Sequence, residues 1–439
     1  MSMTKARLDG LFFLILGCAV LLAGNFIRMG SVVDFRTLYY GTRCLLHRQD
    51  PYLLSNVEQA IREGAGERAA GDPVPLKDTP DYALFVYFPN AIPFMTPFAA
   101  LPWEPAHTLW MLFVDASLLL AAWLIWSLGA NTAPAVYGGM AGLVLASGLF
   151  VMVDGNPSAI VVGLCVGAVY CFMRERFPVA GVVCLALALI LKPQDAGLLW
   201  LFFLLAGGVH RQRALQVFAV FAVLSLPGIL WVSHAVPHWA QEVHTNLVTA
   251  EAHGGQSDPT PASVNTGTAA TITSLQTVFS FFWSEPRIYN LASFLLCAPL
   301  LLAWAITTVR ARFTPPGAWL GIAAIAALSL LPAYHRLYDA KLLLLTIPAC
   351  ALLWKEGSRS RWPALILTMA SMAATSELAV VLLIKYAQGL HLSTTELSAR
   401  LLTIALTRPA PLLLLPTGIL YLWAYMRYPR RESVSTPTA

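Results

Sequence analysis

Long apolar runs recur along most of the chain, and they limit the folds that it can adopt. A run of about 15 to 25 apolar residues can cross the hydrocarbon core of a bilayer as a helix. Within lipid, the backbone can satisfy its hydrogen bonds only in helices or in closed barrels. The runs are continuously apolar and do not alternate, so they predict helices and not barrel strands. We therefore expect an all-α, polytopic membrane protein.

The apolar runs predict twelve spans, four of them short enough to be tilted, bent or re-entrant. The spans cover residues 9–27, 105–128, 134–152, 157–173, 178–191, 195–208, 214–232, 288–309, 317–333, 341–354, 363–384 and 404–426. A further apolar stretch, 83–101, is interrupted by three prolines and predicts an interfacial or re-entrant hairpin. The composition agrees, because charged residues make up 12% of the 439 residues, about half the fraction in a soluble domain.

The distribution of basic residues predicts the orientation of the spans. Cytoplasmic loops are enriched in lysine and arginine, and a cytoplasmic N-terminus places a basic pair in nearly every even-numbered turn. The C-terminus is then cytoplasmic as well. Two long loops, about 28–104 and 233–287, fall on the outer face, where we expect the chemistry because loops carry function. Residues 1–426 are predicted to form one transmembrane domain, and 427–439 a disordered cytoplasmic tail.

Several signatures of other functions are missing from the sequence. The seven cysteines lack metal-ligand spacing and disulfide-framework spacing. Neither of the glycine-rich nucleotide-binding motifs occurs, so no soluble nucleotide-binding domain is predicted. We expect no metal, no cofactor and no nucleic-acid partner, and we expect the lipid bilayer to be the main surrounding of the chain.

The first outer loop begins with a charged and aromatic segment, SVVDFRTLYYGTRCLLHRQDPY, at residues 31–52. Its apolar residues recur at helical spacing and predict a helix in the membrane interface, with its apolar side in the lipid. The helix should end at Asp50, because the residue before a proline avoids helical geometry. Asp34 lies at the start of this helix. Its carboxylate could be an N-cap or a functional acid, and the two roles are compatible.

The order of several short motifs resembles that of glycosyltransferase family 87, which belongs to the GT-C membrane glycosyltransferases. The motifs are D-F-x-x-x-Y-Y and D-P-Y in the first outer loop, VYFPNAIPFMTPFAALP, DGNPSAIVVGL, AGVVCLALALILKPQ and LLPAYHRLYDAKLLLL. This chain has Gly155-Asn156 where the family usually has Gly-Gln. The resemblance implies a GT-C-type helical bundle in the plasma membrane, with interfacial helices in the outer loops and an active site on the outer, periplasmic face.

The resemblance also implies a mechanism and a set of site residues. The expected donor is a polyprenyl-phosphate sugar, most often mannose, and the expected acceptor is a hydroxyl of a glycolipid or glycan. Inverting transfer needs a carboxylate that takes the acceptor proton, and the family assigns this role to Asp34. Cations should offset the phosphate charge; the candidates are Lys192, His335, Arg336 and Arg36. Residues expected to line the pocket are Tyr39, Asn156 and Tyr87.

Simpler interpretations of these residues remain open. Lys192 at the end of a span could be an interfacial anchor, and His335 could be a solvated loop residue. Arg336 could pair with Asp339. Asn156 lies in a sequence that is typical of turns.

Other functions also remain open. A transporter or flippase of lipid-linked sugars would show intramembrane charges and repeated halves. Another GT-C transferase, with an arabinosyl or glucosyl donor, would share the same motifs, as would a non-catalytic relative. No role is assigned to Asp115, Asp154 or Glu377, although an ionisable residue within a span is often functional.

Overall fold

The structure is a computed structural model that describes residues 3–27, 33–66, 84–148, 155–261, 269–389 and 396–432. In these ranges the regular structure is helical and no strands occur. The α-helices are α1 (Met3–Ile27), α2 (Val33–Leu46), α3 (Leu54–Gly66), α4 (Ile92–Ala99), α5 (Trp103–Gly129), α6 (Pro134–Ala146), α7 (Ser158–Met173), α8 (Pro178–Leu191), α9 (Pro193–Leu205), α10 (Gly208–Ala235), α11 (Trp239–Glu251), α12 (Gln276–Phe279), α13 (Pro286–Arg310), α14 (Pro315–Leu328), α15 (Ile347–Lys355), α16 (Arg361–Ala374), α17 (Glu377–Gly389), α18 (Leu397–Thr407) and α19 (Pro409–Glu432).

The helices confirm the prediction of an all-α, polytopic membrane protein. Among the described residues, five helices are long and apolar enough to cross a bilayer, namely α1, α5, α10, α13 and α19. The pair α16 and α17 makes a sixth if it is taken as one span. Shorter apolar helices of 10–17 residues pack between them. The number of twelve spans remains a prediction.

Two predicted spans near the C-terminus are not continuous helices. The stretch 341–354 is divided between a buried 3-10 helix, Asp339–Thr346, and helix α15. Pro348 lies in the first turn of α15, and a proline is accepted there but not inside a helix. The stretch 363–384 is bent by 76° between α16 and α17. Apolar composition indicates that both stretches are helical and membrane-embedded, but it does not indicate where a helix is interrupted.

Helix α2 ends earlier than the sequence indicates and packs differently. It stops at Leu46, and Arg48 follows with a left-handed φ of 61°. The amide of Gln49 donates to the carbonyl of Cys44 at 2.7 Å, which is the bond of a Schellman motif. The apolar face of α2 is buried against protein and does not face lipid, because Phe35 and its helical neighbours are nearly inaccessible.

The D-P-Y motif connects the first of the two long loops to the second. The hydroxyl of Tyr52 donates to the carbonyl of Tyr87 at 3.1 Å. The side-chain amide of Asn246, in α11, donates to the carbonyls of Tyr52 and Phe85 at 2.9 and 3.0 Å. These bonds hold the segment 84–88, which has no regular secondary structure, between α2 and α11. They also fix the position of Tyr87.

Candidate functional site

A cavity of about 440 Å³ lies where the two long loops meet the ends of several helices. Its lining includes Asp34 from α2, Tyr87 from the segment 84–88 and Asn156 from the turn before α7. Lys192, between α8 and α9, and Arg336, in the loop after α14, also line it. The fold therefore brings five of the predicted site residues together from distant parts of the chain.

Lys192 occupies a break between two helices that the following proline imposes. The residue before a proline avoids helical geometry, and Lys192 has φ −149° and ψ 86°. Its side chain enters the protein and is 8% exposed. The ammonium donates to the hydroxyl of Ser158 at 2.7 Å and to the carboxylate of Asp339. Lys192 is therefore not an interfacial anchor.

Two buried acids accompany Lys192, and sequence reasoning did not select either as a site residue. Asp339 also accepts a hydrogen bond from Ser158 Oγ at 2.6 Å and one from the backbone amide of Arg336 at 2.8 Å. Asp195 lies 3.6 Å from the ammonium of Lys192. Buried charges require partners, so the three side chains account for one another. The available signal was an acid placed among apolar residues next to Lys192-Pro193.

His335 lies behind the cavity wall, not on it. It is 2% exposed, and its Nδ1 is 3.1 Å from the carbonyl of Ala333. A carbonyl can only accept, so Nδ1 carries a proton, while Nε2 lies 3.3 Å from the carboxylate of Asp195. Burial by itself would lower the pKa of His335, but the hydrogen bond and the charge of Asp195 raise it above its ordinary value. Each ring nitrogen of His335 thus lies close to an oxygen atom, that of the Ala333 carbonyl or that of the Asp195 carboxylate.

Asp34 is a partly buried residue in the first turn of α2, a position where the helix dipole favours a carboxylate. The helix begins at Val33, so Asp34 does not occupy the N-cap position. Its Oδ2 accepts a hydrogen bond of 2.5 Å from the side-chain amide of Asn156.

Arg36 and Tyr39 are not among the residues that line the cavity. Successive helical residues are rotated by about 100°, so Asp34 and Thr37 share a face that Arg36 and Tyr39 do not. Tyr39 is fully buried, and its hydroxyl donates to the carbonyl of Leu101 at 2.7 Å. The expectation that Tyr39 lines the pocket is thus corrected by its place on the helix. Arg36 is partly buried outside the lining.

The remaining lining is rich in amide and aromatic side chains. The side chain of Gln276 donates to Asn290 at 2.6 Å. Arg336 donates to the backbone carbonyl of Gln256 at 2.6 Å and to the hydroxyl of Tyr334. Amides offer both donors and acceptors, and such a surface can bind a polyhydroxylated molecule. Further lining residues are Phe88, Gln194, Glu251 and Tyr338.

Three ionisable residues without an assigned role lie elsewhere. Asp115 is buried in the middle of α5, and Glu377 is buried in the first turn of α17. Asp154 lies outside the described residues. Glu377 interacts electrostatically with Lys341.

The family model of glycosyltransferase family 87 matches residues 85–332, which is more than half of the 439-residue chain. No curated protein and no solved structure matches the chain. The matched range contains Tyr87, Asn156 and Lys192, while Asp34 and Arg336 lie on either side of it. The chain belongs to glycosyltransferase family 87 and is a membrane glycosyltransferase.

Proposed function

We propose that the protein transfers mannose from a polyprenyl-phosphate-mannose donor to a hydroxyl of a glycolipid or glycan acceptor, with inversion at the anomeric carbon. Transfer takes place on the outer, periplasmic face of the plasma membrane. The observation that carries the proposal is the pairing of chemistries in one cavity. An acid, Asp34, and a buried lysine, Lys192, line the same 440 Å³ space.

In the proposed step, the acceptor oxygen attacks the anomeric carbon of the donor sugar. A carbon–oxygen bond forms, and the bond from the anomeric carbon to the phosphate oxygen breaks with its electron pair on the phosphate. The acceptor proton passes to Asp34, which acts as the general base. Oδ2 of Asp34 is held by Asn156, so Oδ1 is the atom that receives the proton. The products are the glycosylated acceptor and polyprenyl phosphate.

The cations that line the cavity support a phosphate site beside Lys192 and Arg336. These two side chains stabilise the added phosphodiester charge, and His335 adds a third positive charge behind the wall when it is protonated. Loss of that proton would make the surroundings of the phosphate more negative by one charge and would weaken donor binding. The nearby acids are Asp34, Asp195, Asp339 and Glu251.

The apolar part of the lining supports a lipid-linked donor. Leu191, Leu247 and Phe294 contribute to the cavity wall. Phe294 is 51% exposed on the surface of α13, a helix that is apolar enough to cross the bilayer. A prenyl chain can therefore leave the cavity into lipid while its phosphate stays near Lys192. The side-chain amides of Gln256 and Asn290, which line the same cavity, can form hydrogen bonds with the hydroxyls of the acceptor.

The test compares purified wild-type protein with Asp34→Asn, Lys192→Ala and the control Asp9→Asn, using radiolabelled polyprenyl-phosphate-mannose and a membrane lipid extract. Asp34→Asn should lower the rate about 10²- to 10⁴-fold, the usual contribution of a general base. Lys192→Ala should raise the KM for the donor more than that for the acceptor. Asp9 lies in α1 and does not line the cavity, so Asp9→Asn is the same change of charge at a position outside the cavity.

Three outcomes would contradict parts of the proposal. Wild-type rates in Asp34→Asn would remove Asp34 as the base. Transfer only from an arabinosyl or glucosyl donor would show that the proposed sugar is wrong and that the proposed reaction class is right. Movement of the donor across a vesicle membrane, without transfer of its sugar to an acceptor, would identify a flippase.

A further inference from the structure

The side-chain amide of Asn156 is fixed in one orientation by its own helix start. The backbone amide of Ser158 donates to Asn156 Oδ1 at 2.9 Å, and Ser158 Oγ lies 2.5 Å from the same oxygen. A backbone N–H can only donate, so the oxygen of the amide must face Ser158. The nitrogen must then face Asp34, to which it donates at 2.5 Å.

The turn that carries Asn156 is itself anchored to a neighbouring helix. Gly155 has a left-handed φ of 61°, which a glycine adopts without strain. The indole of Trp110, in α5, donates to the carbonyl of Gly155 at 2.7 Å. Trp110 is fully buried and Asn156 is 3% exposed. A side-chain amide that is already buried and held in this way loses little conformational entropy when it binds a carboxylate.

We propose that Asn156 is a positioning residue for Asp34. Its amide holds Oδ2 of the carboxylate and thereby directs Oδ1 toward the acceptor hydroxyl. This inference rests on the proposed function, in which Asp34 is the base. Asn156 does not touch the substrate in this role, and it acts through Asp34 alone.

A chain of hydrogen bonds connects the proposed base to the proposed phosphate site. Asp34 accepts a hydrogen bond from Asn156, and Asn156 accepts one from the backbone amide of Ser158. The hydroxyl of Ser158 accepts a hydrogen bond from Lys192 and donates one to Asp339. The distance between the proton-accepting atom and the phosphate ligand is therefore set by side chains that are all buried or partly buried. The other charged and titratable groups that line the cavity with Asp34 are Lys192, Glu251, Arg336, Asp339, Tyr87, Tyr334 and Tyr338.

The kinetic test uses three substitutions at Asn156 in the full-length protein. Asn156→Ala should lower kcat about 10²-fold, the effect of a misplaced reacting group, and should change the KM for the donor less than threefold. Asn156→Gln keeps an amide and should recover part of that loss. Asn156→Asp places a second carboxylate beside Asp34, so one shared proton should move the acidic limb of the pH–rate profile upward by about one unit or more. A role confined to folding would not move that limb.

A second measurement does not depend on activity. Infrared difference spectra between each protein and its Asp34→Asn counterpart isolate the carboxylate band of Asp34. Removal of a hydrogen bond shifts such a band, so Asn156→Ala should shift it at constant pH. Asn290→Ala is the matched control, because Asn290 lines the same cavity but bonds to Gln276, and the band should not move. Thermal unfolding establishes that each variant is folded.

The outcomes separate the two proposals. A shifted band together with a lower kcat at constant donor KM supports the positioning role. An unchanged band in Asn156→Ala overturns it, whether or not the protein transfers mannose. A shifted band in a protein that transfers no sugar supports the contact between Asn156 and Asp34 and overturns only the proposed function.

Discussion

At the scale of single residues, the arrangement of the site follows from the need of each buried charged group for an oppositely charged neighbour. An isolated buried ammonium or carboxylate is very costly, and both Lys192 and Asp339 are less than a tenth exposed. Their mutual contact, extended by Asp195 and His335, makes the burial possible. The same pairing means that His335 influences the donor through Asp195 and Lys192, without contacting the cavity.

The raised pKa of His335 predicts a pH dependence of donor binding. The imidazolium is present below the raised pKa and is lost as the pH rises through it, which makes the site more negative by one charge. The KM for a phosphodiester donor should then increase at alkaline pH, by about tenfold for each 1.4 kcal/mol of lost attraction. Any stability that His335 contributes follows the same direction, present at low pH and lost as the pH rises through its folded-state pKa.

The measurement is the donor KM of wild type and His335→Gln between pH 6 and 9. The glutamine variant cannot be protonated, so its KM should be high at every pH and should lack the alkaline limb. An identical alkaline limb in both proteins would mean that another group titrates.

At the scale of helices, α1 and α6 pack closely because glycines line their contact. A β-carbon added at Gly142 would lie 2.2 Å from the carbonyl oxygen of Phe13, and one at Gly17 would lie 2.4 Å from the carbonyl oxygen of Gly142. Small residues allow backbones in a membrane to approach each other and gain van der Waals contact. The contact requires the absence of a side chain at these two positions.

Gly142→Ala should therefore weaken the packing of α1 on α6 and lower the free energy of unfolding by about 1–3 kcal/mol, the usual cost of overpacking. Gly139→Ala is the matched control on the same helix, since an added β-carbon there meets nothing within 4 Å. Thermal unfolding in one detergent compares the two. Equal melting temperatures for both variants would contradict the close approach of the backbones.

At the scale of the whole molecule, a second buried lysine holds three distant segments together. The ammonium of Lys341 donates to the carbonyl and hydroxyl of Ser147 at 2.6 and 2.8 Å and to the carbonyl of Thr375 at 3.2 Å. Ser147 and Thr375 follow the C-terminal ends of α6 and α16, where the helix dipole favours a cation. Glu377, buried at the start of α17, interacts electrostatically with the same ammonium. The bend between α16 and α17 thus lies beside a carbonyl that Lys341 satisfies.

Lys341→Met should destabilise the fold by about 1–3 kcal/mol for each buried acceptor that it leaves unsatisfied, because the carbonyls of Ser147 and Thr375 lose their donor and Glu377 loses a nearby positive charge. The double variant Lys341→Met/Glu377→Gln removes both charges and should regain part of that loss. The free energy of unfolding of the four proteins gives the coupling between the two sites. A coupling near zero would show that Glu377 does not depend on Lys341.

The sequence by itself determined the fold class and part of the site. Hydropathy is a local property, and lipid permits few backbone structures, so the apolar runs sufficed to predict a helical membrane protein. The resemblance of short motifs to those of glycosyltransferase family 87 was enough to select five residues that line the cavity, namely Asp34, Tyr87, Asn156, Lys192 and Arg336.

Only the tertiary structure decided which charges meet and where helices break. Ser158 and Asp339 are in contact although 181 positions separate them, and no local pattern reports such a pair. The contact between Asp195 and His335, which lie far apart in the sequence, likewise depends on packing. The helix interruptions within residues 339–355 and between α16 and α17 also depend on contacts with distant parts of the chain. A break in a buried helix is stable only where another part of the chain satisfies its polar groups.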